Sequence, residues 1–191
     1  MMAELTSGHK RSPEASPAVA LRRPVCLVGM MGAGKTTIGR RLANRLGRRF
    51  VDADAAIEQA ARLSISEIFA AFGEPGFRDG ERRVIARLLR EGYDVIATGG
   101  GAFCDPRTRA LMLDNATVVW LDCDIEVLVE RTGRRRNRPL LEGVDRREVL
   151  TRLLAERREF YAQAHLHVKA GVQPHRRTVD AILKALNPCA G

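Results

Sequence analysis

One segment near the start of the chain has the residues of a phosphate-binding loop. Residues 29–36 read Gly-Met-Met-Gly-Ala-Gly-Lys-Thr, which fits the pattern G-x-x-x-x-G-K-[ST]. Glycines let backbone N–H groups approach phosphate oxygens closely, and the N-terminus of a following helix adds partial positive charge. The Lys35 ammonium can reach the β- and γ-phosphates, and the Thr36 hydroxyl can bind Mg²⁺. The predicted nucleotide-binding residues in this loop are Gly32, Ala33, Gly34, Lys35, Thr36 and Thr37.

The loop predicts nucleotide binding but does not identify the acceptor. The competing interpretation, an ordinary glycine-rich turn, is disfavoured because an apolar segment precedes the loop and a helical pattern follows it. Kinases, ATPases, GTPases and nucleic-acid motors all carry such loops. No N-K-x-D guanine signature follows, and 191 residues leave little room for a motor's substrate domain. A kinase that acts on a small molecule is therefore favoured.

Two carboxylates, Asp52 and Asp54, follow the second apolar segment. On an extended chain, residues i and i+2 point to the same side. They would lie beside the phosphate loop if the first two strands shared a sheet edge. One could hold metal-bound water, and Asp54 could bind the acceptor hydroxyl or accept its proton. The alternative is that Asp54 caps a helix beginning at Ala55.

Three consecutive glycines, Gly99, Gly100 and Gly101, follow the third apolar segment. A run of this kind permits close approach of a ligand to the backbone, although a plain strand-to-helix turn is the alternative.

The order of apolar segments and helical patterns predicts a parallel sheet covered by helices on both faces. Ligands bind such sheets at the carboxyl ends of the strands, so the motifs should converge there. The predicted strands are residues 24–28, 49–51, 94–98, 116–121 and 166–168. The predicted helices are residues 36–46, 55–62, 64–72, 76–91, one capped by Asp105 with Pro106 in its first turn, 124–131, 145–164 and 176–186.

The composition suits one aliphatic core, with 45% hydrophobic and only 5% aromatic residues. The net charge of +9 fits either a solvated surface or an anion site, and charge alone does not decide. Residues 1–22 are polar and lack a secretory h-region, so we expect a disordered extension before a single kinase domain at 23–188. None of the four cysteines forms a C-x-x-C pair, which fits a reducing cytoplasm.

Six motifs in order resemble the shikimate kinase family over roughly residues 24–161. They are the phosphate loop, F-x-D-x-D at 50–54, G-E-x-x-F-R at 73–78, the three glycines, R-P-L-L at 138–141, and R-x-x-x-Y at 157–161. The resemblance implies a three-layer α/β/α P-loop kinase fold, similar to nucleoside monophosphate kinases, with a mostly or wholly parallel five-stranded sheet. It also implies transfer of phosphate from MgATP to the 3-hydroxyl of shikimate, in the pathway to chorismate and aromatic amino acids.

The resemblance also implies roles for individual residues. Asp54 would bind the acceptor hydroxyls, Arg78 and Arg157 the acceptor carboxylate, and the three glycines would line the acceptor pocket. Asp52 would lie near the metal with Thr36, and Arg131 beside the nucleotide base. The catalytic set is Lys35, Asp54 and Arg138, with Arg138 reaching ATP from a lid at about 132–144. The acceptor-binding subregion spans about 53–81.

One departure from the family pattern concerns the late arginine. Glu159 stands where the family often has proline, so Arg158 competes with Arg157 as the carboxylate ligand, although the spacing to Tyr161 favours Arg157. The adenine-contacting loop is placed only broadly, at 168–174.

The alternatives are a gluconate or nucleoside monophosphate kinase, against which the triple glycine and R-P-L-L argue, and a nucleotide-dependent nucleic-acid-binding protein. No nucleic-acid motif supports the latter, and aromatic residues for base stacking are scarce. No apolar run approaches the ~20 residues of a membrane helix. We therefore expect ATP and Mg²⁺ as cofactors, shikimate as the partner, no nucleic-acid or membrane partner, and a cytoplasmic monomer.

Overall fold

A parallel sheet of five strands forms the centre of the computed structural model, which describes residues 21–133 and 145–187. The strands are β1 (Val25–Val28), β2 (Phe50–Asp52), β3 (Val95–Ala97), β4 (Thr117–Cys123) and β5 (Leu166–Ala170). Their order in the sheet is β2-β3-β1-β4-β5, and every neighbouring pair is parallel. The predicted α/β fold with a five-stranded parallel sheet is confirmed.

Helices follow the strands within the described ranges, and a short 3-10 helix (Ala102–Cys104) follows β3. The α-helices are α1 (Lys35–Leu46), α2 (Ala53–Ala61), α3 (Ile65–Arg90), α4 (Pro106–Asn115), α5 (Ile125–Gly133), α6 (Arg146–Tyr161) and α7 (His175–Leu186). None of the helices in these ranges has the length and apolar character needed to cross a membrane.

The helix ends follow from local sequence. The predicted capping box is confirmed at α3, where the Ser64 N–H donates to Glu67 Oε2 at 2.7 Å and the Glu67 N–H donates to Ser64 Oγ at 3.3 Å. Asp105 caps α4 by accepting from the Thr108 N–H at 2.8 Å, with Pro106 as the first helical residue. These short-range contacts need no tertiary partner, which is why they could be predicted.

The two helices predicted on either side of Gly73 form one kinked helix, α3. Gly73 has φ 65° and ψ −179°, a backbone conformation that glycine adopts readily, and Pro75 follows it. The helical ladder is interrupted there and continues to Arg90. The kink separates the first turns of α3 from the part that carries Arg78.

The strand order shows how the first two strands share the carboxyl edge of the sheet. β2 and β1 are not neighbours, because β3 lies between them and pairs with both. The phosphate loop follows β1, the aspartates follow β2 and the glycines follow β3. The carboxyl ends of three adjacent strands therefore bring the motifs together, with the glycines in the middle. β1 and β3 are fully buried.

Candidate active site

The triple-glycine turn is the point where the predicted motifs meet. A Cβ placed on Gly99 would lie 2.7 Å from Asp54 Oδ1, and one on Gly100 would lie 3.4 Å from the Met31 nitrogen in the phosphate loop. A Cβ on Gly101 would overlap the Arg78 guanidinium. Close approach therefore explains glycine at positions 99 and 101, whereas a Cβ on Gly100 would make an ordinary contact with the phosphate loop.

The phosphate loop leads directly into α1. Gly34 has φ 90° and precedes the first helical residue, Lys35. The Lys35 ammonium donates to the carbonyl oxygens of Gly29 at 2.8 Å and Met30 at 3.0 Å. The loop backbone and the N-terminus of α1 together form a concave site suited to a phosphate group. Thr36 and Thr37 lie in the first turn of the helix, and Ala33 is fully buried.

Asp52 joins the phosphate loop to α2. Its Oδ2 accepts from the Thr36 hydroxyl at 2.6 Å, and its Oδ1 accepts from the Asp54 N–H at 3.1 Å and more distantly from the Ala55 N–H at 3.4 Å. Asp52 is therefore the helix cap, and the alternative that Asp54 caps a helix from Ala55 is wrong.

The sequence suggested that the two carboxylates share one extended segment, and the structure shows that this is wrong. Asp52 ends β2, whereas Asp54 lies in the first turn of α2. Asp52 consequently contacts Thr36, while Asp54 lies against Gly99. The separation places Asp52 beside the phosphate loop and Asp54 beside the triple-glycine turn.

Arg78 is anchored to a buried carboxylate. Its Nη1 donates to Glu81 Oε2 at 2.7 Å, and its Nη2 lies 3.2 Å from Glu74 Oε1. The Glu81 side chain is only 1% exposed. Burial raises the pKa of Glu81 to about 6; Arg78 opposes the rise, and Asp54 and Asp105 add to it. The ion pair holds the arginine in one orientation beside Gly101.

Replacing Glu81 with Gln should change how stability depends on pH. Because the folded pKa of about 6 exceeds the ordinary value of 4.5, the folded state binds this proton more tightly than the unfolded state. The free energy of unfolding of the wild type therefore falls as pH rises from about 4.5 through 6. Above about pH 7 the effect of Glu81 on this free energy no longer changes with pH. Between pH 4 and 7 the free energy of unfolding of Glu81→Gln should gain about 2 kcal/mol relative to wild type.

Urea unfolding at both pH values measures this difference. Glu156→Gln on the exposed face of α6 is the matched control and should follow the wild type. Parallel pH dependence in wild type and Glu81→Gln would contradict the buried position of Glu81.

A cavity of about 550 Å³ opens beside the Arg78 anchor. Its lining includes Arg78, Gly101, Cys104 and Arg157. Arg158 lies elsewhere, with its guanidinium carbon 5.5 Å from the centroid of the Trp120 ring. Between the two adjacent arginines, the geometry therefore favours Arg157 as the residue that faces the cavity.

Arg131 lies on the other side of the phosphate loop. Its Nη2 donates to the Gly171 carbonyl at 2.5 Å, and its Nη1 donates to the Gly32 carbonyl at 3.4 Å. The His175 Nε2 is 3.6 Å from the position of a Cβ on Gly34. Burial lowers the pKa of His175, and Arg131 and Arg41 act in the same direction. Gly171 falls within the broadly predicted adenine loop, whereas His175 lies just beyond it.

A sequence model of the shikimate kinase family matches residues 31–187, which include every motif described above except the first two residues of the phosphate loop. The chain belongs to the shikimate kinase family. A curated shikimate kinase of Novosphingobium aromaticivorans is 59% identical over 169 residues, covering 86% of this chain and 88% of the relative. A shikimate kinase of Zymomonas mobilis is 52% identical over 171 residues, covering 90% of this chain and 97% of the relative.

Solved structures agree with this shikimate kinase assignment. A shikimate kinase from Acinetobacter baumannii in complex with shikimate superposes with a TM-score of 0.82 at 37% identity, covering 88% of this chain and 96% of that chain. The fold expected from the resemblance, a P-loop kinase fold, is therefore also the fold of solved family members.

The shikimate kinase motifs did not identify every residue at this site. Glu81 was visible only as a carboxylate three positions after Arg78, a common helical spacing that does not predict burial. Tyr161 was part of a motif but had no predicted role, and His175 carried no signal. Arg138 and most of the predicted lid (134–144) lie outside the described residues, as do residues 1–20 of the predicted N-terminal extension.

Proposed function

We propose that this protein transfers the γ-phosphoryl group of ATP to the 3-hydroxyl of shikimate, forming shikimate 3-phosphate and ADP. The observation that carries the proposal is the contact of the phosphate loop, Asp54 and Arg78 with three successive glycines. That arrangement puts a phosphate cradle, a carboxylate and an arginine around one turn. High identity to shikimate kinases supports the choice of acceptor.

The nucleotide side consists of the phosphate loop and Arg131. Backbone N–H groups at Gly32 and Gly34, together with the N-terminus of α1, suit the β-phosphate, and the Ala33 N–H closes the loop onto the Met30 carbonyl. Lys35 lies against the loop carbonyls and is within reach of a γ-phosphate bound there. Arg131 spans from the loop to Gly171, so it suits one face of the nucleotide base. Thr37 follows in the first turn of α1.

The Thr36 hydroxyl and the Asp52 carboxylate fit a Mg²⁺ site. Both ligands are hard oxygen donors, and their oxygens lie 2.6 Å apart beside the phosphate loop. Mg²⁺ in nucleotide sites is typically held by few protein oxygens together with phosphates and water. When bound, the ion neutralises negative charge on the phosphate oxygens.

On the acceptor side, two guanidinium groups of the cavity wall and the nearby Asp54 carboxylate are the groups proposed to bind shikimate. Arg78 and Arg157 line the cavity and suit the planar carboxylate of shikimate, which a guanidinium binds through parallel hydrogen bonds. Asp54, at Gly99, suits the hydroxyls of the ring. The arginines thus orient one end of the acceptor while Asp54 orients the reacting end.

The reaction forms a bond between the acceptor oxygen and the γ-phosphorus and breaks the bond from that phosphorus to the β,γ-bridging oxygen. The hydroxyl proton moves to Asp54, and the bridging oxygen leaves with ADP. Lys35 stabilises the charge that develops on the transferring and leaving groups. In this proposal Arg138 approaches the same phosphate from the lid.

The organisation proposed with this activity is a single cytoplasmic kinase domain at residues 23–188 that acts as a monomer. Its acceptor-binding subregion is about 53–81, which contains Asp54, Arg78 and Glu81.

An ADP-release assay with four acceptors tests the proposed function. Shikimate, gluconate, AMP and single-stranded RNA are each added to protein, ATP and Mg²⁺. We expect shikimate alone to stimulate turnover, because of the four acceptors it alone carries a carboxylate on a hydroxylated ring. Stimulation by gluconate or AMP would indicate another small-molecule kinase, and stimulation only by RNA would overturn the proposal.

A further inference from the structure

Tyr161 places a hydroxyl group between the two halves of the site. It is the last residue of α6 and is fully buried. Its hydroxyl donates to the Gly100 carbonyl oxygen and lies 3.8 Å from the Met30 sulfur. Gly100 belongs to the triple-glycine turn, and Met30 belongs to the phosphate loop. One side chain thus contacts both the nucleotide side and the acceptor side.

Packing alone does not account for a tyrosine here. Its ring stacks on Trp120 with a centroid distance of 5.9 Å, a contact that phenylalanine could also make. A buried hydroxyl is costly unless it is hydrogen-bonded, so the bond to Gly100 is what makes it tolerable. The contacts with the triple-glycine turn and the phosphate loop therefore explain why this position carries a tyrosine hydroxyl.

The contact on the nucleotide side is close to Lys35. Met30 is 2% exposed, and its carbonyl oxygen accepts from the Lys35 ammonium at 3.0 Å. The same Met30 carbonyl accepts from the Ala33 N–H at 3.2 Å, which closes the loop. The residue that touches the Tyr161 hydroxyl with its sulfur thus positions Lys35 with its backbone.

The contact on the acceptor side is close to Arg157. Arg157 lies four residues before Tyr161, on the same face of α6. Its Nη1 is 3.6 Å from the position of a Cβ on Gly100. Tyr161 therefore holds the end of α6, and Arg157 with it, against the turn that also contacts Asp54 and Arg78.

We propose that Tyr161 is a positioning residue that sets the distance between the phosphate loop and the acceptor pocket. The inference rests on the proposed function, since it concerns the geometry of phosphoryl transfer at the same site. Tyr161 has no contact with the reacting atoms in this role. Its hydroxyl aligns two binding sites whose relative placement governs the rate, because a misplacement of about 1 Å between reacting groups can lower turnover by about 100-fold.

Tyr161→Phe tests the role of the hydroxyl while retaining the ring. We expect kcat to fall about tenfold, with the KM values for ATP and shikimate each changing less than about twofold. The retained ring still stacks on Trp120 and keeps α6 and Arg157 in place, so each pocket stays intact and only their alignment is lost. The thermal midpoint should change by no more than about 5 °C, since one hydrogen bond is removed.

Tyr93→Phe is the matched control, because Tyr93 is the other tyrosine in the chain. It precedes β3 at the opposite end of that strand from the glycines, with the Arg49 guanidinium 4.2 Å from its ring centroid. Its kcat should equal that of the wild type. Unchanged kcat in Tyr161→Phe would overturn the inference alone, as would an equal loss in both variants.

Two other outcomes also decide the question. A large fall in thermal midpoint, with both KM values rising together, would assign Tyr161 to the core and reject a positioning role. A wild-type protein without shikimate-dependent turnover would overturn the proposed function and this inference together.

Discussion

Replacing Lys35 with Met should lower kcat for shikimate phosphorylation by at least about 1000-fold. The Lys35 ammonium donates to the carbonyl oxygens of Gly29 and Met30 in the phosphate loop, where we propose that it contacts the transferring phosphate. Methionine has nearly the same length but no charge, so the fold should persist while stabilisation of the transferring phosphate is lost. Steady-state kinetics and a thermal unfolding curve measure the two effects separately.

Lys184→Met is the matched control for the loss of a lysine. Lys184 is exposed in the last turn of α7. It is nine residues beyond His175, or about 14 Å along the helix. It should retain wild-type kinetics. Near-normal turnover in Lys35→Met would contradict the assignment of the phosphate loop.

Replacing Arg78 with Ala should raise the KM for shikimate about 100-fold, with little change in the KM for ATP. The variant removes a guanidinium from the cavity wall, and with it the paired hydrogen bonds proposed for the acceptor carboxylate. Hydrogen bonds to charged groups contribute enough for a change of this size. Initial rates with each substrate varied in turn separate the two KM values.

Arg78→Ala also leaves the buried Glu81 without its ion-pair partner, so a second variant keeps the result interpretable. Arg78→Lys retains the positive charge but loses the planar donor pair, and we expect a KM increase of about tenfold. Arg83→Ala on the same helix, with a side chain that is 73% exposed, should behave as wild type. If the KM for ATP alone rose in Arg78→Ala, the acceptor pocket would be misplaced.

Family membership could be predicted from the sequence because its motifs are local. The phosphate loop needs glycines, a lysine and a threonine at fixed spacing, and the capping box at Ser64 and Glu67 closes within one turn. The alternation of short apolar strands and helices similarly predicted a parallel sheet. Such features depend on residues close together in the chain, so spacing alone reveals them.

The roles of Asp52 and Asp54 show where spacing was insufficient. Their i, i+2 separation suggested two carboxylates pointing the same way. In the structure Asp52 caps α2, and the chain becomes helical between the two residues. After Asp52 the chain could either continue the strand or begin a helix, and the Asp52 cap stabilises the helix. A small difference in where one element ends thus changes which groups the two carboxylates contact.

Sequence patterns alone were enough to predict the phosphate loop, the family and the class of fold. The folded structure was needed to show that β3 lies between β1 and β2, that Glu81 is buried beneath Arg78, and that the Tyr161 hydroxyl contacts both Gly100 and Met30. Motifs consist of residues that are close together in the chain. Burial, and contacts between residues that are distant in the chain, depend instead on the order of the strands in the sheet. That order is set by the packing of the whole chain, which no single segment encodes.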